Sequence, residues 1–302
     1  MPFQNEIHTD KLLSNISLKY KNSEYIADLV FPVLNVEKDS DLFRVFTRNF
    51  RIPYTRRANK GLANEFDFHV TNNSYKLERH ALKDYVSDND ARNYDVSDLR
   101  ADTTENLTDA LLRRVELTTA NLFTTTNWSL NVSLATAAQW GLNTTTSDPI
   151  PLMDTAATTI IANSGYLPNF AIIPRSSFIA AKNHVNVLDR VKYTSKEVDK
   201  GIIAALFSLP EILVPTSVQD TSAEGLTDAI AAIWSDNVFV GFKPPRPSPL
   251  LPSCGYIFKE NKAMVKRWRD EERSAEAVEV EVNFSPKIVA SLAGYLIRDV
   301  MP

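Results

Sequence analysis

Apolar and polar residues alternate strictly through Glu65-Phe66-Asp67-Phe68-His69-Val70, and a second alternating arm, Tyr75-Lys76-Leu77-Glu78, begins after Asn72-Asn73-Ser74. A period of two places Phe66, Phe68 and Val70 on one face of a strand, so this stretch predicts a long two-stranded ribbon with its turn at Asn72-Asn73-Ser74. The approach to it, residues 44–60, carries six basic residues and no acidic one, with Phe46, Phe50 and Tyr54 interleaved. A lone hairpin is at best marginal in water, so a ribbon of this length needs a surface to lie on. The expected surface is a neighbouring copy of the chain. The expected contacts are Arg44, Arg48, Arg51, Arg56, Arg57, Lys60, Phe66, Phe68, Tyr75 and Leu77, because interfaces favour arginine and aromatic residues.

The hydrophobic period then lengthens. Leu107, Leu111, Val115 and Leu122 recur near helical spacing, while Glu105, Asp109, Arg113, Arg114 and Glu116 supply a polar face. Asp102 as cap, with Glu105 three residues on, predicts a helix over 102–123, about 33 Å long. No glycine or proline interrupts it, which suits a spine. Past Asp148 the texture changes again. Pro149 and Pro151 open a helical stretch that Gly165 is placed to end, and Asn169-Phe170-Ala171-Ile172-Ile173-Pro174 has the length and composition of a buried strand. Short helices over 176–184 and 195–207 and strands over 212–214, 229–234 and 237–242 complete a mixed α/β region. Five prolines between 244 and 252 form a stiff crossing. Strands are then predicted over 255–258, 264–268 and 277–284, where Val278, Val280 and Val282 alternate with Glu279 and Glu281, before a last apolar segment at 288–300. The first forty residues have no sustained period; they read as an extended arm pinned by the apolar run at 26–34.

Composition narrows the function. The 302 residues, 44% hydrophobic and 23% charged, belong to a globular protein with a sizeable core. A net charge of −4 argues against a coat for nucleic acid. The N-terminus lacks the basic start and apolar run of a signal peptide, and no apolar stretch approaches the roughly 20 residues that cross a bilayer. A single cysteine, Cys254, excludes an internal disulfide framework. These features point to a soluble product of a reducing cytoplasm, with no membrane partner.

Catalytic chemistry finds little footing. Cys254 reads as a small structural residue, and His8, His69, His80 and His184 are scattered without the further ligands zinc requires. No phosphate-cradling glycine motif occurs. Asp270-Glu271-Glu272 is flanked by Arg267, Arg269 and Arg273 and reads as a mixed-charge loop. No catalytic residue, metal site or cofactor is expected. The basic run resembles a single-strand nucleic-acid surface, but the acidic balance of the rest favours a protein interface.

The order of these elements resembles the major capsid protein of tailed bacteriophages with the HK97 fold. Local patterns carry the resemblance too: Tyr25-Ile26-Ala27-Asp28-Leu29-Val30-Phe31-Pro32, Arg113-Arg114-Val115-Glu116, Ile233-Trp234-Ser235-Asp236 and Gly294-Tyr295-Leu296-Ile297. The resemblance implies an α+β fold in four parts. These are an N-terminal arm (1–40), an extended β-hairpin or E-loop (41–90), a peripheral domain with the long spine helix and its sheet (91–147 and 255–302), and a central α/β axial domain (148–254). It implies a non-enzymatic virion component that self-assembles into pentamers and hexamers of an icosahedral head, formed in the host bacterial cytoplasm around double-stranded DNA held without sequence specificity. A portal, a decoration protein and a scaffolding protein are the further partners it implies, the last as a separate chain because only about forty residues precede the ribbon. The alternatives are an encapsulin-like compartment shell and a single-strand nucleic-acid-binding protein that uses the basic ribbon.

Overall fold

Strand β1 (His8–Thr9) is followed by a single helical turn α1 (Ala27–Val30), strand β2 (Val33–Val36) and the paired strands β3 (Ser40–Val45) and β4 (Thr71–Lys76). Strand β5 (Glu78–Ser87) leads through α2 (Asp88–Asn93) into α3 (Leu99–Ala120). Strand β6 (Asn131–Ser133) precedes α4 (Pro149–Ser164), β7 (Phe170–Ile172), α5 (Arg175–Asn183), α6 (Val185–Val191), α7 (Lys200–Leu206), β8 (Glu211–Leu213), β9 (Val218–Asp220), β10 (Ile230–Ala232) and β11 (Val238–Gly241). Strands β12 (Gly255–Glu260), β13 (Met264–Asp270), β14 (Ala275–Ile288) and β15 (Gly294–Arg298) complete the order. This computed structural model describes residues 8–9, 25–45, 55–57, 59, 61–63, 71–93, 98–144, 146–192, 198–223, 225–249, 251–260 and 264–302.

Helix α3 starts earlier than its apolar period predicts. Asp98, not Asp102, is the cap: its carboxylate accepts from the Arg100 backbone N–H at 3.1 Å. Asp102 instead lies in the first turn, where the helix dipole favours an acidic group. Helix α4 follows its signals closely, with Asp148 accepting from Ile150 N at 3.0 Å and Gly165 ending it in the left-handed region at φ 68°.

The predicted turn at Asn72-Asn73-Ser74 does not exist. Those residues sit inside β4, opposite Arg44, Phe43 and Leu42 of β3. Packing overrides their turn preference. Phe43 and Tyr75 share the inner face of the pair and lie on Phe258 of β12, with ring centroids 5.3 and 4.4 Å away. The hairpin therefore has its root at β3 and β4. The predicted strand positions Phe66, Phe68 and Val70 lie outside the described residues, as do Arg48, Arg51 and Lys60. Strand β5 belongs to no hairpin: it pairs with β14 over ten positions, from Glu78 opposite Phe284 to Ser87 opposite Ala275.

Strand β14 is the backbone of a six-stranded sheet in the order β1-β13-β14-β12-β2, with β5 also alongside β14. Val278, Val280 and Val282 point into the core, as their alternation predicts, and Glu279 and Glu281 flank the Lys266 ammonium at 3.2 and 2.8 Å. A five-stranded sheet, β6-β15-β11-β7-β8, forms the second layer. Strand β15, grouped by sequence with the other C-terminal strands, crosses back to this sheet and pairs with β11. Leu296 and Ile297, both fully buried, explain the crossing, since they face opposite sides of a sheet covered on both faces. On β11, Phe239 faces one core and Val238 and Val240 the other. The first core is aromatic and centred on Phe123, whose ring lies 5.5 Å from Phe31, 5.8 Å from Trp128, 5.2 Å from Trp234 and 4.8 Å from Phe239.

Candidate assembly surface

The ten residues expected to touch a neighbour separate into distinct groups. Arg44 lies on the outer, exposed face of the hairpin root, beside Leu42, which is 64% exposed. Arg56 and Arg57 are exposed in the loop beyond it, where the Arg57 Nε donates to the Gly61 carbonyl and Leu62 stands 94% exposed. These side chains project a mixed basic and apolar surface.

Tyr75 and Leu77 do not join them, and their assignment to the interface is corrected. Both are buried in the chain's own third core with Leu34, Phe43, Tyr256, Phe258 and Val289. Tyr75 stacks on Phe258 with only 7° between ring planes and donates to the Lys38 carbonyl at 3.3 Å. The Leu77 N–H donates to Asp39 O at 2.8 Å. In the subunit itself these two side chains are core residues, 6% and 7% exposed. Two exposed ion pairs, Lys38–Asp41 and Arg79–Asp39, both 3.0 Å, decorate the same turn and contribute little by themselves.

One polar residue was misplaced by helical periodicity. Glu116, predicted on the solvent face of α3, is completely buried. Its Oε1 accepts from Ile26 N at 3.0 Å and Trp234 Nε1 at 2.6 Å, with Ser217 Oγ at 3.4 Å, and its Oε2 accepts from Ala27 N at 2.8 Å. Burial pushes its carboxyl above the ordinary carboxylate range, and these donors pull the other way. The carboxylate satisfies N–H groups at the start of α1 that have no partner within the turn. Nearby, Tyr25 Oη donates to Asp109 at 3.1 Å, and Arg113 donates to both. The sequence signal was present: three of the four local patterns cited above, at 25–32, 113–116 and 233–236, meet at this carboxylate. The fourth contains Gly294, packed against Phe239 and Trp128.

A serine–histidine pair also escaped the sequence reading. Ser147 and His184, both buried, lie with Oγ and Nε2 2.9 Å apart. The His184 Nδ1 accepts from Asn186 N, so the neutral ring carries its proton on Nε2 and donates to the serine. The Ser147 hydroxyl in turn donates to Thr144 O at 2.8 Å. A nucleophile requires the opposite polarity, with the ring accepting from the hydroxyl. This pair locks the loop that leads into α4 to the start of α6.

Other candidate chemistry is also accounted for. Cys254 is fully buried, and desolvation pushes its thiol up to about 12. His80 stacks on Phe284 at 4.7 Å, and His69 lies outside the described residues. Arg269 grips Asp88 with two parallel bonds of 2.6 and 2.7 Å, which places the 270–273 loop in a mixed-charge network. Among the described residues no group of three or more His, Cys, Asp or Glu side chains is arranged to hold a metal ion, and no helix is long and apolar enough to cross a membrane.

No protein-family model matches the chain. A curated relative, the major capsid protein of Burkholderia phage BcepMu, is 25% identical over 303 aligned residues, which cover 96% of each chain. The crystal structure of a phage-related protein from Bordetella bronchiseptica matches with a TM-score of 0.79 at 25% identity, covering 97% of this chain and 98% of that one. The capsid of cyanophage P-SCSP1u matches with a TM-score of 0.63 at 10% identity, over 99% of this chain and 92% of the other.

Proposed function

We propose that this chain, a bacteriophage major capsid protein with the HK97-like fold, builds the head shell by self-assembly. The single observation that carries this reading is its end-to-end likeness to phage capsid proteins, in sequence to one and in fold to another. The role is structural, and its place is the capsid of the virion.

The finer reading follows from physical argument. Shell subunits need several weak contacts of fixed geometry, which multivalency turns into a stable closed assembly. Pentamers and hexamers of this chain close an icosahedral head around double-stranded DNA, formed in the host cytoplasm with a scaffolding protein, a portal and a decoration protein as partners. The hairpin rooted at β3 and β4 reaches over the adjacent subunit as the E-loop. Its inter-subunit contacts are Arg44, Arg48, Arg51, Arg56, Arg57, Lys60, Phe66 and Phe68. The exposure of Arg44, Arg56 and Arg57 supports this assignment. Helix α3 with the six-stranded sheet serves as the peripheral domain, and the region of α4 to β11 as the axial domain.

Electron microscopy of the purified protein tests the proposal. Closed shells, tubes or rings are expected, and particles from infected cells contain DNA. Persistent monomers under all conditions, with tight salt-dependent binding to single strands, would replace it with the nucleic-acid-binding reading. Shells that hold cargo protein and no DNA would favour the compartment reading.

A further inference from the structure

The loop carrying Arg56 and Arg57 needs a receiving surface of opposite charge, and one stretch of the chain has that character. Residues 201–242 contain no basic residue and five acidic ones, Glu211, Asp220, Glu224, Asp228 and Asp236. From the middle of this stretch β9 and β10 form an isolated two-stranded hairpin, with Val218 opposite Ala232 and Asp220 opposite Ile230. These four residues share one face, and all four are exposed, whereas Gln219 and Ala231 on the other face are half-buried. Val218 is 47% exposed, Ile230 64% and Leu226, near the tip, 68%. Strands of three residues with a bare apolar face are poorly stable alone. The ends of the hairpin are nonetheless anchored. Buried Ser217 reaches the Glu116 carboxylate, Trp234 donates to it, and Asp220 Oδ1 clamps the loop by accepting from Ser222 N and Ala229 N, both at 2.9 Å. A rigidly held ribbon with an acidic and apolar outer face is shaped for docking.

We propose that the β9–β10 hairpin receives the basic loop of a second copy of this chain. In this contact Leu62 packs against Val218, Leu226 and Ile230, while Arg56 and Arg57 face Asp220 and Asp228. The occupant is chosen by complementarity. The 44–60 run is wholly basic among its charged residues and the 201–242 run wholly acidic; exposed Leu62 lies just beyond the first, and exposed Val218, Leu226 and Ile230 lie within the second. Opposite potentials fix register and speed encounter, and the aliphatic contact supplies burial. Two different patches meet, so the contact is heterologous and closes into a ring when repeated about an axis. The inference rests on the reading of the chain as a shell subunit and adds the identity of the receiving surface.

The decisive experiment is disulfide trapping in the full-length Leu62→Cys/Ile230→Cys double variant, since buried Cys254 does not compete. Under mild oxidation of assembled particles, a ladder of covalent oligomers is expected on a non-reducing gel, because a bridge needs Cβ atoms about 4 Å apart. Neither single variant gives a ladder, and a mixture of the two stops at dimers. Particles that assemble but remain monomeric on the gel overturn this contact and leave shell assembly standing. Failure of the unmodified protein to form particles overturns the assembly reading, and this contact with it. A second arm covers loss of folding or assembly in the double variant. Arg56→Glu/Arg57→Glu should lower particle yield by about tenfold, and adding Asp228→Arg should restore part of it. A reversed pair that stays as defective as the loop variant alone counts against the proposal.

Discussion

The indole Nε1 of Trp234 donates to Oε1 of Glu116 at 2.6 Å, joining residues 118 positions apart. Through that one buried carboxylate the spine helix, the first ordered turn at Ile26 and Ala27, and the root of the acidic hairpin are tied together. Glu116→Gln preserves shape but replaces one accepting oxygen with an amide that must face either Trp234 Nε1 or Ala27 N. A loss of about 1–3 kcal/mol in unfolding free energy is expected, the penalty for a buried donor left without an acceptor. Trp234→Phe removes the donor instead and should cost a similar amount. Chemical denaturation of the unassembled subunit measures both, and an unchanged midpoint in Glu116→Gln would refute the junction.

The same carboxylate gives stability a pH dependence of definite sign. Burial raises the Glu116 carboxyl above its ordinary value of 4.5, so the folded protein holds that proton more tightly than the unfolded chain. Its contribution is fully present below 4.5 and is lost as pH rises through the folded value. His184 acts in the opposite sense: burial lowers it below 6.5, so its contribution is present above 6.5 and lost as pH falls through the folded value. Denaturation midpoints recorded from about pH 4 to pH 8 should show the advantage of wild type over Glu116→Gln shrinking toward high pH. The advantage of wild type over His184→Gln should shrink toward low pH.

Gly294 is required for space, not for backbone freedom. Its φ of −140° is extended and open to any residue, but an added Cβ would collide with the Phe239 ring and lie 2.5 Å from Trp128 Cζ3. Both rings sit in the aromatic core around Phe123, where neither has room to retreat. Gly294→Ala should therefore destabilise by about 1–3 kcal/mol through overpacking. Thermal unfolding checks this, and Gly225→Ala offers a contrast. That glycine has open space around it but a φ of +87°, so its cost is conformational.

Most of the architecture was legible in local signals, and the failures share a cause. Helix α4 could be read because Asp148, Pro149 and Gly165 act on neighbouring backbone groups. Glu116 could not, because helical spacing reports only which face of α3 a residue occupies. Its donors lie 89 and 90 residues away on one side and 101 or more on the other. The turn predicted at Asn72-Asn73-Ser74 failed for the same reason. Asparagine favours turns locally, but the stacking of Tyr75 on Phe258 depends on a strand nearly two hundred residues downstream. Residues 44–60 announced their charge in sequence, whereas the acidic, exposed face of β9 and β10 became recognisable only once these strands were seen to stand apart from both large sheets.

Folding and assembly should separate cleanly along the hairpin. Tyr75 contributes to the chain's own core, where its ring lies 4.4 Å from Phe258 and only 6% of the residue is exposed. Tyr75→Ala should cost about 2–5 kcal/mol of subunit stability, because it removes a large ring from a packed site. Arg56 and Arg57 are exposed. Reversing both charges should leave subunit stability within about 0.5 kcal/mol, as is usual for surface substitutions, while particle yield falls. Sedimentation separates particles from subunits, and denaturation of the subunit fraction supplies the stability of each variant. If Arg56→Glu/Arg57→Glu formed normal shells, the basic loop would lose its role as an interface. If Tyr75→Ala left the subunit as stable as wild type and blocked assembly instead, the root of the hairpin would have to be reassigned from core to contact surface. Tyr75 and Arg56 thus test opposite ends of one excursion, one held inward by stacking and the other left outward with its charge exposed.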